Sequence, residues 1–387
     1  MSRQVVITGI GPLTPFTRES AELWELIRSA DTQHLAVDAD CRVSEEAIAS
    51  PSPQLRQMDR LGRLALTAAE SAIRDAQLNL ASIDAETTGI ALGSGYGCLS
   101  TNADYLEGIR ERGPRRGNPI VFQNTVSNAA AGYLSIAKDI RGPNATMCSG
   151  WTAGLEALDF GVYQIADGRV ETMIVGSADQ LFPTLLRGLE ARGNISASRR
   201  PRPYDRERDG MVLSEGSCFL ILEELEHARS RNARIYAEVA AMGHRNTGSG
   251  NAPRALSEAV LLALREADGS RDDVDVIVSG ASGATSDRWE GHAMVSTLGP
   301  RADEIPMIFP KAILGETMAA AGPLAVALGA MALYNGRVPT VQAPVQHDPE
   351  CRLRIRATAA DSAPELALVP LIDDDGNAAV TVLRRFV

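Results

Sequence analysis

Positive charge is in deficit in this chain, and cysteine and histidine are sparse. Lys and Arg total 38 against 49 Asp and Glu, a formal net charge of −11. Polyanion binding needs a surplus of Lys and Arg to neutralise phosphates, so nucleic-acid binding is not expected. The arginines that do cluster, Arg199, Arg200, Arg202, Arg206 and Arg208, suit an acidic protein partner instead. The five cysteines, Cys41, Cys98, Cys148, Cys218 and Cys351, form no CxxC pair. Their odd number gives no disulfide framework, and a reducing, cytoplasmic setting is expected. The five histidines, His34, His227, His244, His292 and His347, stand at no metal-ligand spacing, so no metal is expected. Long hydrophobic runs are lacking too. The N-terminal MSRQVVITGIG has one short apolar run that soon meets glycine, unlike a signal peptide. Met318 to Leu333 is too short and too rich in Ala and Gly for a membrane span, and reads as a buried helix.

What is present is an ordinary globular composition, 44% hydrophobic and 22% charged over 387 residues, enough for two lobes with a substantial core. Gln4 to Thr8 reads as a first strand ended by Gly9, and Ser20 to Ala30 as an amphipathic helix. Helical spacing recurs in Leu61 to Leu80, Ala129 to Ile140, Thr152 to Ala166 and Ala255 to Ala267. A charged helix is expected over Glu223 to Arg231. Thr88 to Leu92, Thr172 to Val175, Cys218 to Leu222, Ile235 to Met242, Val274 to Val278 and Ala378 to Leu383 read as strands. The alternation indicates an α/β protein with buried sheets, and its recurrence suggests an internal duplication, divided as 1–234 and 235–387. The glycines of GIGPLT and GSGYG lack the full dinucleotide fingerprint and read as tight turns at strand ends. GASGA at Gly280 ends in Ala284 and is not a hydrolase elbow.

Several segments, in order along almost the whole chain, resemble the β-ketoacyl synthases of the thiolase superfamily. The longest is RPRPYDRERDGMVLSEGSCFLILEELEHARSRNARIYAEV, Arg200 to Val239. VVITGIGPLTP, NTVSNAAAGYLSIAKDIRGP, ETMIVGSAD and PKAILGETMAAAG add to it. The resemblance implies a thiolase-like five-layer αβαβα fold with two related halves, and no metal or organic cofactor.

Active members use a cysteine nucleophile and two histidines, supported by a lysine and a glycine-rich loop. The nucleophile stands eight residues past the proline of an R-G-P turn; here that count runs from Pro143 to Trp151. The first histidine of an N-A-H-G-T segment corresponds to Ser282 in GASGATSDRWEG, followed by the acidic pair Asp287 and Glu290. The second, in K-x-x-x-G-H, corresponds to Glu316 in KAILGE, with Lys311 and Gly315 retained. The loop G-F-G-G-x-N becomes IDDDGN, Ile372 to Asn377, with Asn377 retained. None of the five histidines stands at a family catalytic position. Cys148 precedes Trp151 by three residues and is expected to be a buried structural thiol. Lys311 is expected to be structural, and a pairing with Glu316 is left open.

The resemblance therefore implies no catalytic residues in this chain. It implies a chain length factor, the beta subunit of a type II polyketide synthase ketosynthase. Such a subunit forms a heterodimer with an active ketosynthase, on acyl chains carried by acyl carrier protein. Trp where familiar aromatic-polyketide factors carry Gln looks closer to highly reducing or aryl-polyene systems. Asn118 to Gly132 corresponds to the family's dimer interface, where Val121, Phe122 and Gln123, with Trp151, are expected at the tunnel and interface. Two alternatives stand beside this reading: an active enzyme using Cys148 or Glu316, and a homodimeric scaffold that binds acyl carrier protein.

Overall fold

The computed structural model describes residues 3–29, 41–50, 52–339, 346–355 and 363–386. His34 lies outside them. The strands are β1 (Val5–Leu13), β2 (Thr88–Gly93), β3 (Asn144–Met147), β4 (Thr172–Asp179), β5 (Gly216–Glu224), β6 (Ala237–Asn246), β7 (Val276–Val278), β8 (Met307–Ile308), β9 (Leu366–Ile372) and β10 (Asn377–Arg384). They form one sheet in the order β3-β2-β4-β5-β1-β6-β10-β9-β7-β8. Read outward from the central β1–β6 pair, the first half runs first, fifth, fourth, second, third, and the second half repeats that order. Pairing directions repeat as well: β1–β5 and β4–β5 are antiparallel like β6–β10 and β9–β10, while β2–β3 and β2–β4 are parallel like β7–β8 and β7–β9. The duplication inferred from the sequence is thus a repeated topology, with β1 and β6 meeting antiparallel at the seam. The expected division at Ile235 falls between the short helix Leu225–Ser230 and β6.

The layering follows from which face of each strand is apolar. Val175, Leu220 and Val369 face one cluster, with Leu155 and Leu158 of helix Ala153–Ala166 and Leu324, Leu328 and Leu333 of helix Ala321–Asn335. Their neighbours Ile174 and Ile221 face helix Arg60–Asp75 on one outer side, and Leu368 faces helices Ala252–Glu266 and Ser286–Leu298 on the other. Strand side chains alternate faces, so one run of apolar residues serves two layers. Helix, sheet, paired central helices, sheet and helix give the thiolase-like five-layer arrangement. The segment Met318–Asn335 is apolar and long enough to cross a membrane by composition, but 89% of it is buried inside the protein.

Two expectations are corrected here. Strand β1 does not stop at Gly9; it continues through Gly11 and Pro12 to Leu13, so GIGPLT is strand, not turn. Its glycines serve helix packing. A Cβ on Gly11 would sit 2.1 Å from the Ala68 carbonyl oxygen, and one on Gly9 2.4 Å from that of Ala72, both on helix Arg60–Asp75. The helices Leu99–Arg112, Pro183–Ala191 and Ser286–Leu298, and strand β9, were not legible. Helix Leu99–Arg112 buries no residue and so has no apolar stripe to read.

Candidate functional site

The parallel strands of each half end at the same region, and the connections leaving them carry the residues singled out above. Past β3 the chain turns through Gly150, at φ +82°, into Trp151. Past β7 the loop Ser279–Thr285 carries Ser282. Past β8 the helix Pro310–Leu314 and Gly315, at φ +76°, lead to Glu316. Carboxyl ends of parallel strands are the usual place for a site in such sheets. By the repeated strand order, Trp151 after β3 and Glu316 after β8 occupy corresponding places in the two halves.

The segment Gly210–Ser214 binds these connections together. Gly210 N donates to the Gly283 carbonyl at 3.2 Å, Glu316 N to Val212 at 2.7 Å, and Ser214 N to Glu316 at 2.9 Å. Trp151 is half-buried and packs against an apolar cluster that includes Leu185, Leu189, Met211, Leu213 and Met318. Its Nε1 donates to the Tyr96 hydroxyl at 3.3 Å. Ser282 is buried, and its backbone N–H donates to Asp287 at 2.9 Å. Asn377 donates from N and from Nδ2 to the Asp373 carboxylate, each at 2.9 Å. A Cβ on Gly150 would lie 3.1 Å from Asp373 Oδ2, which puts that carboxylate beside Trp151.

Lys311 and Glu316 are both buried, with Nζ 2.7 Å from Oε2. Oε2 has no partner in hydrogen-bond geometry, so the contact is Coulombic rather than directional. The other oxygen, Oε1, accepts from Met318 N at 2.8 Å. The pairing left open from sequence is therefore present, and both Glu316 oxygens have a neighbour, one by charge and one by a hydrogen bond.

Sequence reasoning missed Asp179. It closes β4, is buried, and accepts from Ser94 Oγ (2.7 Å), Gly95 N (2.9 Å), Tyr96 N (3.2 Å) and Ala319 N (3.0 Å). Burial raises its carboxyl above the usual range despite these donors, which lower it. The signal was a carboxylate directly ending the buried run of ETMIVGSAD. Burial likewise raises Asp373 and Asp374, and it raises the Tyr96 phenol, with Asp179 and Glu316 adding to the effect. The loop's acidic pair is structural: Asp287 accepts from Tyr204, Ser282 and Gly283 N–H groups, and Glu290 from the Tyr204 and Ser279 hydroxyls and Gly280 N.

Cys148 corrects another expectation. It is exposed rather than buried, because it follows β3, the open edge of the sheet. No described histidine reaches this region. His227 is bonded to Glu223, His244 lies 3.4 Å from Asp159, and the His292 and His347 rings contact the carbonyls of Glu350 and Leu353. Among the described residues no three His, Cys, Asp or Glu side chains are grouped to hold a metal ion. The expected arginine patch is depleted as well: Arg202 pairs with Glu207, and Arg208 is largely buried against Asp348.

Val121, Phe122 and Gln123 lie at the end of the short helix Pro119–Phe122, which packs on helix Leu99–Arg112. Val121 is half-buried, while Phe122 and Gln123 are exposed. Phe122 stacks 5.8 Å from Tyr105, and Gln123 is bonded to Gln57.

Two descriptions match the chain: β-ketoacyl synthase, N-terminal domain, over residues 36–228, and β-ketoacyl synthase, C-terminal domain, over 234–343. The chain is 31% identical over 381 residues to the tetracenomycin polyketide synthase ketoacyl synthase alpha subunit of Streptomyces glaucescens, covering 91% of this chain and 89% of that one. It is 28% identical over 362 residues to 3-oxoacyl-[acyl-carrier-protein] synthase 2 of Coxiella burnetii, covering 87% of each. Among solved structures it resembles the ishigamide ketosynthase/chain length factor, with a TM-score of 0.89 at 23% identity over the whole of both chains. A type II polyketide synthase acyl-carrier protein in complex with its ketosynthase matches with a TM-score of 0.89 at 24% identity, again over both whole chains. At such identities the two structures speak to the fold.

Proposed function

The chain belongs to the β-ketoacyl synthase family, and on that premise we propose that it is a silent member: a chain-length-factor-type subunit that pairs with an active ketosynthase and walls the acyl tunnel of the pair. The observation that carries the reading is Trp151, packed in an apolar cluster and bonded to Tyr96 where the family places its nucleophile. An indole has no acidic proton near neutral pH and cannot carry an acyl thioester. Glu316 stands for the second imidazole and is committed to Lys311 and Met318. Ser282 stands for the first. Asp179 lies at the Gly95–Trp151 contact, Asp373 beside Gly150 and Glu316 near Tyr96, and carboxylates there oppose the enolate that decarboxylation of a malonyl unit would form. The thiolate and imidazoles come from the partner, and so does the condensation chemistry. The malonyl and growing acyl units arrive on an acyl carrier protein. No metal or organic cofactor is required.

The surface supports a partner of the same fold. From helix Leu99–Arg112 to helix Ala129–Lys138, which packs on the edge strand β3, Leu106 (62% exposed), Ile120, Phe122 (58%), Val126 and Ile136 (67%) leave apolar side chains in water. Clusters of this kind mark interfaces. In this reading Val121 and Phe122 meet the partner's tunnel, and their bulk limits the chain it holds.

The rival reading, an active enzyme, has one observation in its favour: the exposed Cys148 thiol. Against it, no described histidine is bonded to that thiol. Intact-mass analysis after incubation with an acyl thioester separates the two. The isolated chain is expected to gain no adduct, and co-expression with a ketosynthase carrying an intact Cys-His-His set is expected to yield a one-to-one complex that elongates malonyl units. An acyl adduct on Cys148, or a homodimer that ignores the ketosynthase, overturns the proposal.

A further inference from the structure

The indole of Trp151 is held between two turns, and one buried side chain grips both. Tyr96, which accepts the Nε1 hydrogen bond, lies on the turn Ser94–Gly97 after β2. Met318, buried in the apolar cluster against which the indole packs, begins the turn Met318–Ala320 and has φ +58°, a left-handed conformation that a methionine adopts only when its surroundings impose it. The first turn belongs to one half of the chain and the second to the other. Asp179 joins them: Ser94 Oγ, Gly95 N and Tyr96 N donate from the first turn and Ala319 N from the second. Two further bonds brace the grip, Gly97 N to Ser94 Oγ at 2.8 Å and Ser177 Oγ to the Ala319 carbonyl at 2.9 Å. The indole itself packs on this clasp, since a Cβ on Gly95 would lie 3.3 Å from Trp151 Cδ1 and 3.2 Å from Asp179 Oδ2.

We propose that Asp179 is a positioning residue that keeps the Trp151 indole seated, by fixing Tyr96 on one side of it and Met318 on the other. This rests on the reading of Trp151 as the group that fills the pocket. The carboxylate is required because one planar acceptor meets donors from both turns at once. An amide at 179 keeps the shape but turns an NH2 toward at least one N–H donor, so a donor is left unpaired in a buried site.

The test uses Trp151 as its own reporter. Replacing Trp24 and Trp289 by Phe leaves Trp151 as the only tryptophan in the full-length chain. In that background Asp179→Asn is expected to raise the acrylamide quenching constant about threefold or more and to shift the emission to the red, with the far-UV circular dichroism unchanged. Ser94→Ala, which removes one donor to Asp179 and the acceptor of Gly97 N but leaves the carboxylate, is the milder variant and is expected to give a smaller change of the same sign. It decides the matter if Asp179→Asn does not fold. Tyr96→Phe is expected to shift the emission without disturbing Asp179. An unchanged quenching constant in folded Asp179→Asn, or in Ser94→Ala where the former is unfolded, overturns the positioning role. An acyl adduct on the isolated chain would instead overturn the silent-subunit reading and leave the quenching result standing, so the two failures are told apart.

Discussion

Lys311 Nζ and Glu316 Oε2 face each other at 2.7 Å in the protein interior, on either side of the turn at Gly315. Burying two charges is costly, and the pair offsets that cost only while both members are present. Glu316→Gln is expected to lower stability by about 3–5 kcal/mol, because Lys311 is left charged and uncompensated. The double variant Lys311→Met/Glu316→Met is expected to recover most of the loss, since apolar replacement of a buried pair is often neutral. Chemical denaturation of Lys311→Met, Glu316→Met and the double variant measures the coupling.

On the proposed reading, Trp151→Cys places a thiol where the family carries its nucleophile but does not supply its chemistry. The lost indole uncovers the apolar cluster that includes Leu185, Met211 and Met318. Stability is expected to fall by about 2–4 kcal/mol. No described histidine reaches the thiol, so mass spectrometry after exposure to an acyl thioester is expected to show no acylation on the timescale of an active ketosynthase. Rapid acylation at residue 151 would contradict this.

Ile136→Asp separates association from folding. Ile136 is 67% exposed on the open-edge face. Surface changes of this kind leave stability within about 0.5 kcal/mol. Loss of co-purification with the ketosynthase, at an unchanged thermal midpoint of the isolated chain, is the expected outcome. Retained binding would move the interface elsewhere.

Glu290 gives stability a pH dependence of its own. Burial pushes its carboxyl up to about 7, against the lowering effect of the Ser279 and Tyr204 hydroxyls. The unfolded chain has the ordinary glutamate value. Between about pH 4.5 and 7 the folded state therefore binds the extra proton, and stability is lost as pH rises through that window, by about 3 kcal/mol. Glu290→Gln mimics the protonated form and is expected to flatten this part of the stability profile. Glu223 acts with the opposite sign. Burial raises it, but Arg231, His227 and Thr8 outweigh burial and bring it to about 2, so its contribution is lost only as pH falls from about 4.5 toward 2.

The repeated α/β architecture was legible because buried strands and amphipathic helices carry their period in the sequence. Helix Leu99–Arg112 was not, since it buries nothing. Helix Ser286–Leu298 was hidden for another reason: its inward face includes Asp287 and Glu290, whose burial depends on donors from distant segments. Gly9 and Gly11 were misread because close helix approach and chain reversal call for the same residue. Motif spacing led to Trp151, Ser282 and Glu316; Gly210–Ser214 bonds to the connections of the latter two and contributes Met211 and Leu213 to the cluster on which Trp151 packs. Asp179 and Tyr96 escaped because their roles rest on turns that only the fold brings together. The exposure of Cys148 escaped because nothing in the local sequence says that β3 ends the sheet.

The mirrored strand order has a consequence for how a centre of this kind would fall silent, as the proposed function requires. Trp151, Ser282 and Glu316 sit on links beyond strand ends, so exchanging them breaks no rung of either ladder. Chemistry can be erased at the junction of the two copies while each copy's framework is preserved. An ancestor built on this plan could trade reactivity for shape in a few steps and still present an unaltered outer edge to its mate.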